Sequence, residues 1–160
     1  MKKLLSAPLL GLITLMMLVT ACGTFSVAKH PEYAGMIGKE YVLQRDCYIF
    51  RFSDDKKVLH LSPVGADTPG LGTIQPSENI DVRLIGKKFA NFEILGELPK
   101  QTVVKIVAVK RVVKFEIEYY QIFVGTDING TQRTYEAMFL QEEKYTGARF
   151  DPRFIVEKKE

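Results

Sequence analysis

Residues 102–140 read TVVKIVAVKRVVKFEIEYYQIFVGTDINGTQRTYEAMFL, and this stretch decides the fold. β-Branched and aromatic residues dominate it, as they do in strands. Across Thr102–Val113 the apolar residues alternate with polar ones, with Lys105, Lys110 and Arg111 interspersed, the pattern of a strand with one wet face. Lys114–Val124 reads as a second strand. Asp127-Ile128-Asn129-Gly130 then marks a hairpin, because Asn-Gly readily takes the positive φ that a tight turn needs. Thr131–Leu140 returns from it. The second strand is out of phase with itself. Phe115 and Ile117 alternate with Glu116 and Glu118, whereas Tyr120, Ile122 and Val124 carry the apolar beat on the other parity. Two readings reconcile the halves: a bulge at Tyr119-Tyr120 that flips the facing, or partial cover on both faces that leaves Phe123 half-buried.

Outward from this centre the β pattern continues. Glu40–Gln44 and Asp46–Phe52 are rich in Tyr, Val, Ile and Phe, Ser53-Asp54-Asp55-Lys56 supplies a turn, and Val58–Leu61 returns. Ile80–Ile85 and Phe89–Leu95 are short strand candidates around Gly86-Lys87-Lys88, and Phe154–Val156 is a closing strand. Residues 62–79 (SPVGADTPGLGTIQPSEN) hold three Pro and three Gly, so they read as a long loop. Outside the N-terminal leader no 12-residue window carries a helical stripe. Glu136–Lys144 is the best helical rival. Short strands between turn signals predict an all-β domain, a barrel or sandwich, over residues 39–157, with a frayed tail at 158–160.

The N-terminus has a different grammar. MKKLLSAPLLGLITLMMLVTAC opens with Lys2 and Lys3, runs through an apolar stretch from Leu4 to Val19, and ends in small residues and a cysteine. The run is short for a membrane span, which needs about 20 residues, and fits a secretory signal. Residues 23–38 (GTFSVAKHPEYAGMIG) show neither the strand nor the helix period, so 22–38 reads as a tether.

Val19-Thr20-Ala21-Cys22 resembles the lipobox of bacterial lipoproteins. That resemblance implies cleavage between Ala21 and Cys22, a diacylglycerol thioether on Cys22 and acylation of the new amino terminus. It makes membrane lipid the first expected partner. Gly23 stands where an Asp would favour inner-membrane retention in that family, which points to the outer membrane, facing the periplasm.

Ile94-Leu95-Gly96-Glu97-Leu98-Pro99-Lys100-Gln101-Thr102-Val103-Val104-Lys105-Ile106 resembles the middle of bacterial Src-homology-3-like domains, where a Leu-Pro-Lys-Gly-Thr turn precedes a strand of alternating Val and Lys. The Asn129-Gly130 hairpin sits where such a domain has its distal hairpin. The resemblance implies a small Src-homology-3-like β-barrel with a long inserted loop. Gln101 replaces the usual Gly, which a type I turn with Pro at its second position accepts. The chain has no Trp, so the aromatic pair that grips proline-rich ligands is not reproduced.

Composition narrows the function. The 160 residues carry 26% charged and 46% hydrophobic residues, the make-up of a folded chain. Net charge is +3, of which Lys2 and Lys3 leave with the leader. A nucleic-acid binder would show a clear basic excess. Two Cys and two His are too few for a standard zinc site, so no metal and no cofactor is expected. No nucleophile elbow and no phosphate loop occurs, and the glycines of Gly65–Gly72 do not fit a dinucleotide fingerprint. His30 beside Pro31 reads as solvated. His60 lies opposite in facing to Leu59 and Leu61 and reads as an exposed strand residue. Cys47, the thiol left after lipidation, alternates with Tyr48 and Phe50 and reads as a buried, inert group. A Cys47–His60 nucleophile pair would lack an orienting partner and oxyanion donors. Asp54-Asp55 and Glu142-Glu143 are adjacent carboxylates that point to opposite faces of a strand and make poor acid/base pairs.

The expectation is therefore non-enzymatic: a lipid-anchored binding or scaffold module for another envelope protein. Alternatives are an envelope inhibitor or immunity protein, and a peptidoglycan-binding lipoprotein. Leu71 and Ile74, in the long loop, are the candidate partner contacts, or else caps over an open end of the barrel.

Overall fold

The computed structural model describes residues 23–26, 31–66, 79–114, 117–138 and 150–159. Among the described residues nine strands form one sheet: β1 (Gly23–Ser26), β2 (Glu40–Leu43), β3 (Cys47–Phe52), β4 (His60–Pro63), β5 (Phe92–Leu98), β6 (Val103–Lys114), β7 (Ile117–Ile128), β8 (Thr131–Ala137) and β9 (Ile155–Glu157). A helical turn, α1 (Pro31–Ala34), precedes β2, and a 3-10 turn spans Val82–Leu84. The spatial order is β5-β3-β4-β8-β7-β6-β2-β9, with β1 also paired to β6. Only the β4–β8 ladder is parallel; the others are antiparallel. The all-β reading holds.

The closed barrel does not form: among the described residues no ladder joins β5 to β9, and the sheet stays open. The outer edge of β5 is already taken. Gly86 N–H donates to Ile94 O (2.8 Å), Ile94 N–H to Lys87 O (3.1 Å) and Phe89 N–H to Phe92 O (2.7 Å). The Phe154–Val156 candidate appears as β9 but pairs with β2 at the opposite edge.

The sheet still curls around one core. Leu98 on β5 and Ile155 on β9 belong to the same buried cluster as Leu43, Leu61, Val104, Ile106, Ile122, Val124 and Tyr135. Strands at the two ends of a flat sheet of this size could not share a cluster. Two bulges supply the curvature, since an extra residue bends a strand and raises its twist. One lies on β6, where the register slips between Ile106 and Ala108 and leaves exposed Val107 unpaired. The other lies opposite Ile49/Phe50, where Leu95 is skipped. No bulge forms at Tyr119-Tyr120, and Phe115 and Glu116, in the first half of the pattern, lie outside the described residues. The β7 register is continuous there, Ile122 and Val124 point inward, and Phe123 is half-buried beneath Lys110 Nζ, 4.5 Å from the ring centre. Gly125 lies on β7 beside this bulge. A Cβ there would meet Val107 Cγ1 at 2.9 Å, so the close approach calls for glycine.

The Asn129-Gly130 turn forms as expected, with φ of 52° and 78° and Gly130 N–H bound to Asp127 Oδ1 at 2.7 Å. The turn before β6 differs. Gln101 adopts φ 69°, the left-handed position that favours Gly, so it is not simply tolerated in a type I turn. Its N–H donates to Leu43 O (2.8 Å), and Asp46 Oδ1 accepts from Lys100 N–H (2.7 Å).

Three peripheral assignments change. Residues 23–38, expected as a tether, hold β1 and α1, and Tyr33 is buried in the main core with Met36 and Ile37 packed on it. Lys158, expected in the frayed tail, donates its N–H to Glu40 O (2.9 Å) and its ammonium to Glu40 Oε2 (2.7 Å). Ile80–Ile85 is not a strand: Asp81 caps the 3-10 turn by accepting from Arg83 N–H (3.0 Å).

Candidate functional site

β3 is buried on both faces. Cys47 and Ile49 join the main core, whereas Tyr48 and Phe50 point the other way, into a second cluster with Val64, Phe92 and Ile94. A continuous apolar run in a strand has this meaning: both faces are covered. The cover here is the segment from Ile80 to Phe89, whose Ile80, Leu84 and Phe89 pack on the cluster. Tyr48 Oη fastens it by accepting from Asp81 N–H at 2.8 Å.

The aromatic rings of this second face form a connected set. Phe89 stacks on Phe92 (4.6 Å between centres, 15°), Phe50 meets Phe92 edge-on (6.2 Å), and Phe50 meets Phe52 edge-on (5.3 Å). Beside them lies a cavity of about 270 Å³ lined by Arg51, Phe52, Ser53, Lys56, Lys88, Phe89, Phe92 and Glu93. Its floor is aromatic and its rim is charged. Arg51 Nη2 and Glu93 Oε2 pair at 2.9 Å across the β3–β5 ladder, and among the described residues Lys56 and Lys88 on the rim make no ion pair. A pocket of this make-up fits an apolar side chain next to a carboxylate.

His60 lies against the same rings and is buried, at 5% exposure, which corrects the expectation of an exposed strand residue. Its ring stacks on Phe50 (5.2 Å, 26°) and meets Phe52 edge-on at 4.8 Å. Alternation placed it opposite Leu61 correctly, but that second face is covered. Glu136 is its neighbour in the parallel ladder, with Oε2 3.5 Å from Nδ1, and among the described residues neither ring nitrogen makes a hydrogen bond. Burial pushes the imidazole pKa down, against Asp55 and Asp54, and pushes the Glu136 carboxyl up, against a hydrogen bond from Gln121. Both groups thus lean toward their neutral forms.

Cys47 is fully buried, as expected, and desolvation followed by the Asp46 charge pushes its thiol pKa far up. In the β3–β4 ladder Cys47 lies opposite Pro63 and His60 opposite Phe50, so thiol and imidazole sit on opposite faces. The nucleophile pair is not assembled. No cluster of three or more metal-ligating side chains occurs among the described residues.

Ala21 and Cys22, and the loop residues Leu71 and Ile74, lie outside the described residues. So do His30 and Glu142-Glu143. The roots of the long loop are described. Val64 is buried in the second cluster and Ile80 packs against it, whereas Ala66 packs on the main core. Sequence reasoning missed the pocket residues. The available signal was Lys87-Lys88-Phe89 and Phe92-Glu93, basic and aromatic residues interleaved around a turn. No protein family, curated protein or solved structure matches this chain.

Proposed function

We propose that this chain is a lipid-anchored binding module of a bacterial cell envelope. Acylated Cys22 holds it on the outer membrane, facing the periplasm, where it takes hold of another envelope protein. The observation that carries the reading is Val19-Thr20-Ala21-Cys22 at the end of the apolar run behind Lys2 and Lys3. Three acyl chains on one cysteine would anchor the protein essentially permanently. The all-β domain is an opened relative of Src-homology-3-like modules. The Leu98–Thr102 turn feeding β6 supports that kinship.

Binding is assigned to the aromatic face. Its support is the apolar lining of Phe52, Phe89 and Phe92 beside Lys56 and Lys88. A partner presenting an apolar residue beside an acidic one fits this chemistry. Leu71 and Ile74 extend the contact.

Two experiments test the reading. Radiolabelled fatty acid should enter the wild type and not Cys22→Ala; equal labelling of both refutes the anchor. Crosslinking in intact cells should capture a partner through the wild type and lose it in Lys56→Glu/Lys88→Glu at unchanged melting temperature. Undiminished capture by that variant refutes the assigned face.

A further inference from the structure

Gly23 follows Cys22 directly, and Gly23 is already the first residue of β1. β1 is bound along its whole length to β6, with Gly23 opposite Val113, Thr24 opposite Val112, Phe25 opposite Arg111 and Ser26 opposite Lys110. Consecutive Cα atoms are about 3.8 Å apart, so a lipid on Cys22 would emerge within one residue of the sheet. There is no slack between anchor and fold.

From this geometry we infer that the domain docks in one fixed orientation on a lipid bilayer, with β1 and the adjoining Val113 end of β6 against the headgroups. The inference rests on the lipid-anchor reading above and adds the docking surface and its occupant. Acyl chains in the hydrocarbon core place Cys22 in the interfacial layer, which is about 6 Å deep per leaflet. Gly23 and Val113 lie within a residue of that layer, and Phe25 is two residues on, about 7 Å along the strand. Phe25 is the right kind of residue for that depth. It is a large apolar side chain at 54% exposure, and lipid headgroups and upper acyl chains would cover it. Arg111, opposite Phe25, brings positive charge to this end of the sheet.

The same register turns the pocket outward. Following the ladders from Phe50 through His60, Glu136 and Phe123 reaches Ala108, five residues along β6 from Val113. Phe52, on the pocket floor, lies beyond Phe50 in the same direction. The binding face thus stands clear of the bilayer, and the Asn129-Gly130 hairpin stands at the far end of β7, roughly 37 Å from Ile117.

The absence of native tryptophan makes the test direct. Phe25→Trp and Thr131→Trp, each in the full chain, are purified as the mature protein. They are then reconstituted in vesicles of phosphatidylethanolamine and phosphatidylglycerol with brominated acyl chains. The indole of the Phe25→Trp variant should be quenched at least about threefold more strongly than that of the Thr131→Trp variant, because only the first reaches the interface. Inserting a Gly/Ser segment of about ten residues between Cys22 and Gly23 should abolish the difference by restoring slack. The intact mass of each sample reports acylation. Acylated protein with equal quenching in both variants overturns the docking and leaves the anchor standing. Protein without acyl chains overturns the anchor and the docking with it. Equal quenching before and after the insertion also overturns the docking, even if Phe25→Trp disturbs β1.

Discussion

The two faces of β3 are built by different means. On one side Cys47 and Ile49 enter a core to which eight of the strands contribute, from Leu98 at one edge to Ile155 at the other. On the other side Tyr48 and Phe50 meet a small aromatic cluster covered, among the described residues, by Met138 and the irregular segment 80–89, with no buried residue in its 3-10 turn. Val82 in that turn is 65% exposed. The first face is held by ladders and by aliphatic packing from distant strands. The second depends on a few rings, the Tyr48–Asp81 hydrogen bond and a short run of backbone bonds to β5. A region with few buried contacts and an exposed cover opens locally at lower cost than the whole domain. The comparison teaches that the main core carries most of the packing, whereas the aromatic face, to which binding is proposed, rests on fewer contacts.

Substitutions on the two sides should differ in scale. Ile106→Ala, deep in the main core, should cost about 3 kcal/mol, read by urea denaturation. Leu84→Ala, half-buried in the cover of the aromatic face, should cost about 1 kcal/mol. Equal losses would break the distinction between the faces.

His60 sharpens it through pH. Its folded-state pKa lies below the ordinary 6.5, because burial disfavours the imidazolium. As pH falls, the unfolded chain takes the proton first. Stability is therefore complete above about pH 6.5 and declines below it, by at most about 1.4 kcal/mol per pH unit. Wild type should show this decline and His60→Leu should lack it. Glu136 titrates in both, so the difference isolates the imidazole. Identical profiles would mean that His60 is not desolvated by Phe50 and Phe52.

Cys47 probes the opposite side of the same strand. It should react with thiol reagents only on unfolding, and Cys47→Ala should cost about 1 kcal/mol and leave partner capture intact. The smallest expected effect is a gain. Gln101→Gly should stabilise the domain by about 0.5 kcal/mol, since φ 69° strains a residue with a side chain. A loss on that substitution would mean that the Gln101 side chain contributes more than the strain costs.

Much of the fold was legible because alternation and turn chemistry are local. The β7–β8 hairpin and the long β6 strand follow from 102–137 alone. Other features depend on partners that a strand does not carry in its own sequence. Alternation told that His60 and Leu61 face opposite ways but not that both faces are covered. The bulges at Val107 and Leu95 sit inside apolar stretches where an extra residue leaves no compositional mark. β1 is four residues without a pattern, and it exists because β6 extends beyond β2 and offers an open edge. The closed barrel failed for the converse reason: the 86–89 segment occupies the β5 edge. The pocket was hidden because its lining comes from two separated segments, Arg51–Lys56 and Lys88–Glu93.

Hydrogen exchange of individual amides tests the two-face account most directly. Ile106 N–H, bonded to Lys39 O at 3.1 Å inside the main core, should exchange only through global unfolding. Gly86 and Phe89 N–H, bonded to Ile94 and Phe92 at the aromatic face, should exchange at least about 100-fold faster through local opening. Equal protection of the three amides would show that both faces open only together and would contradict the account.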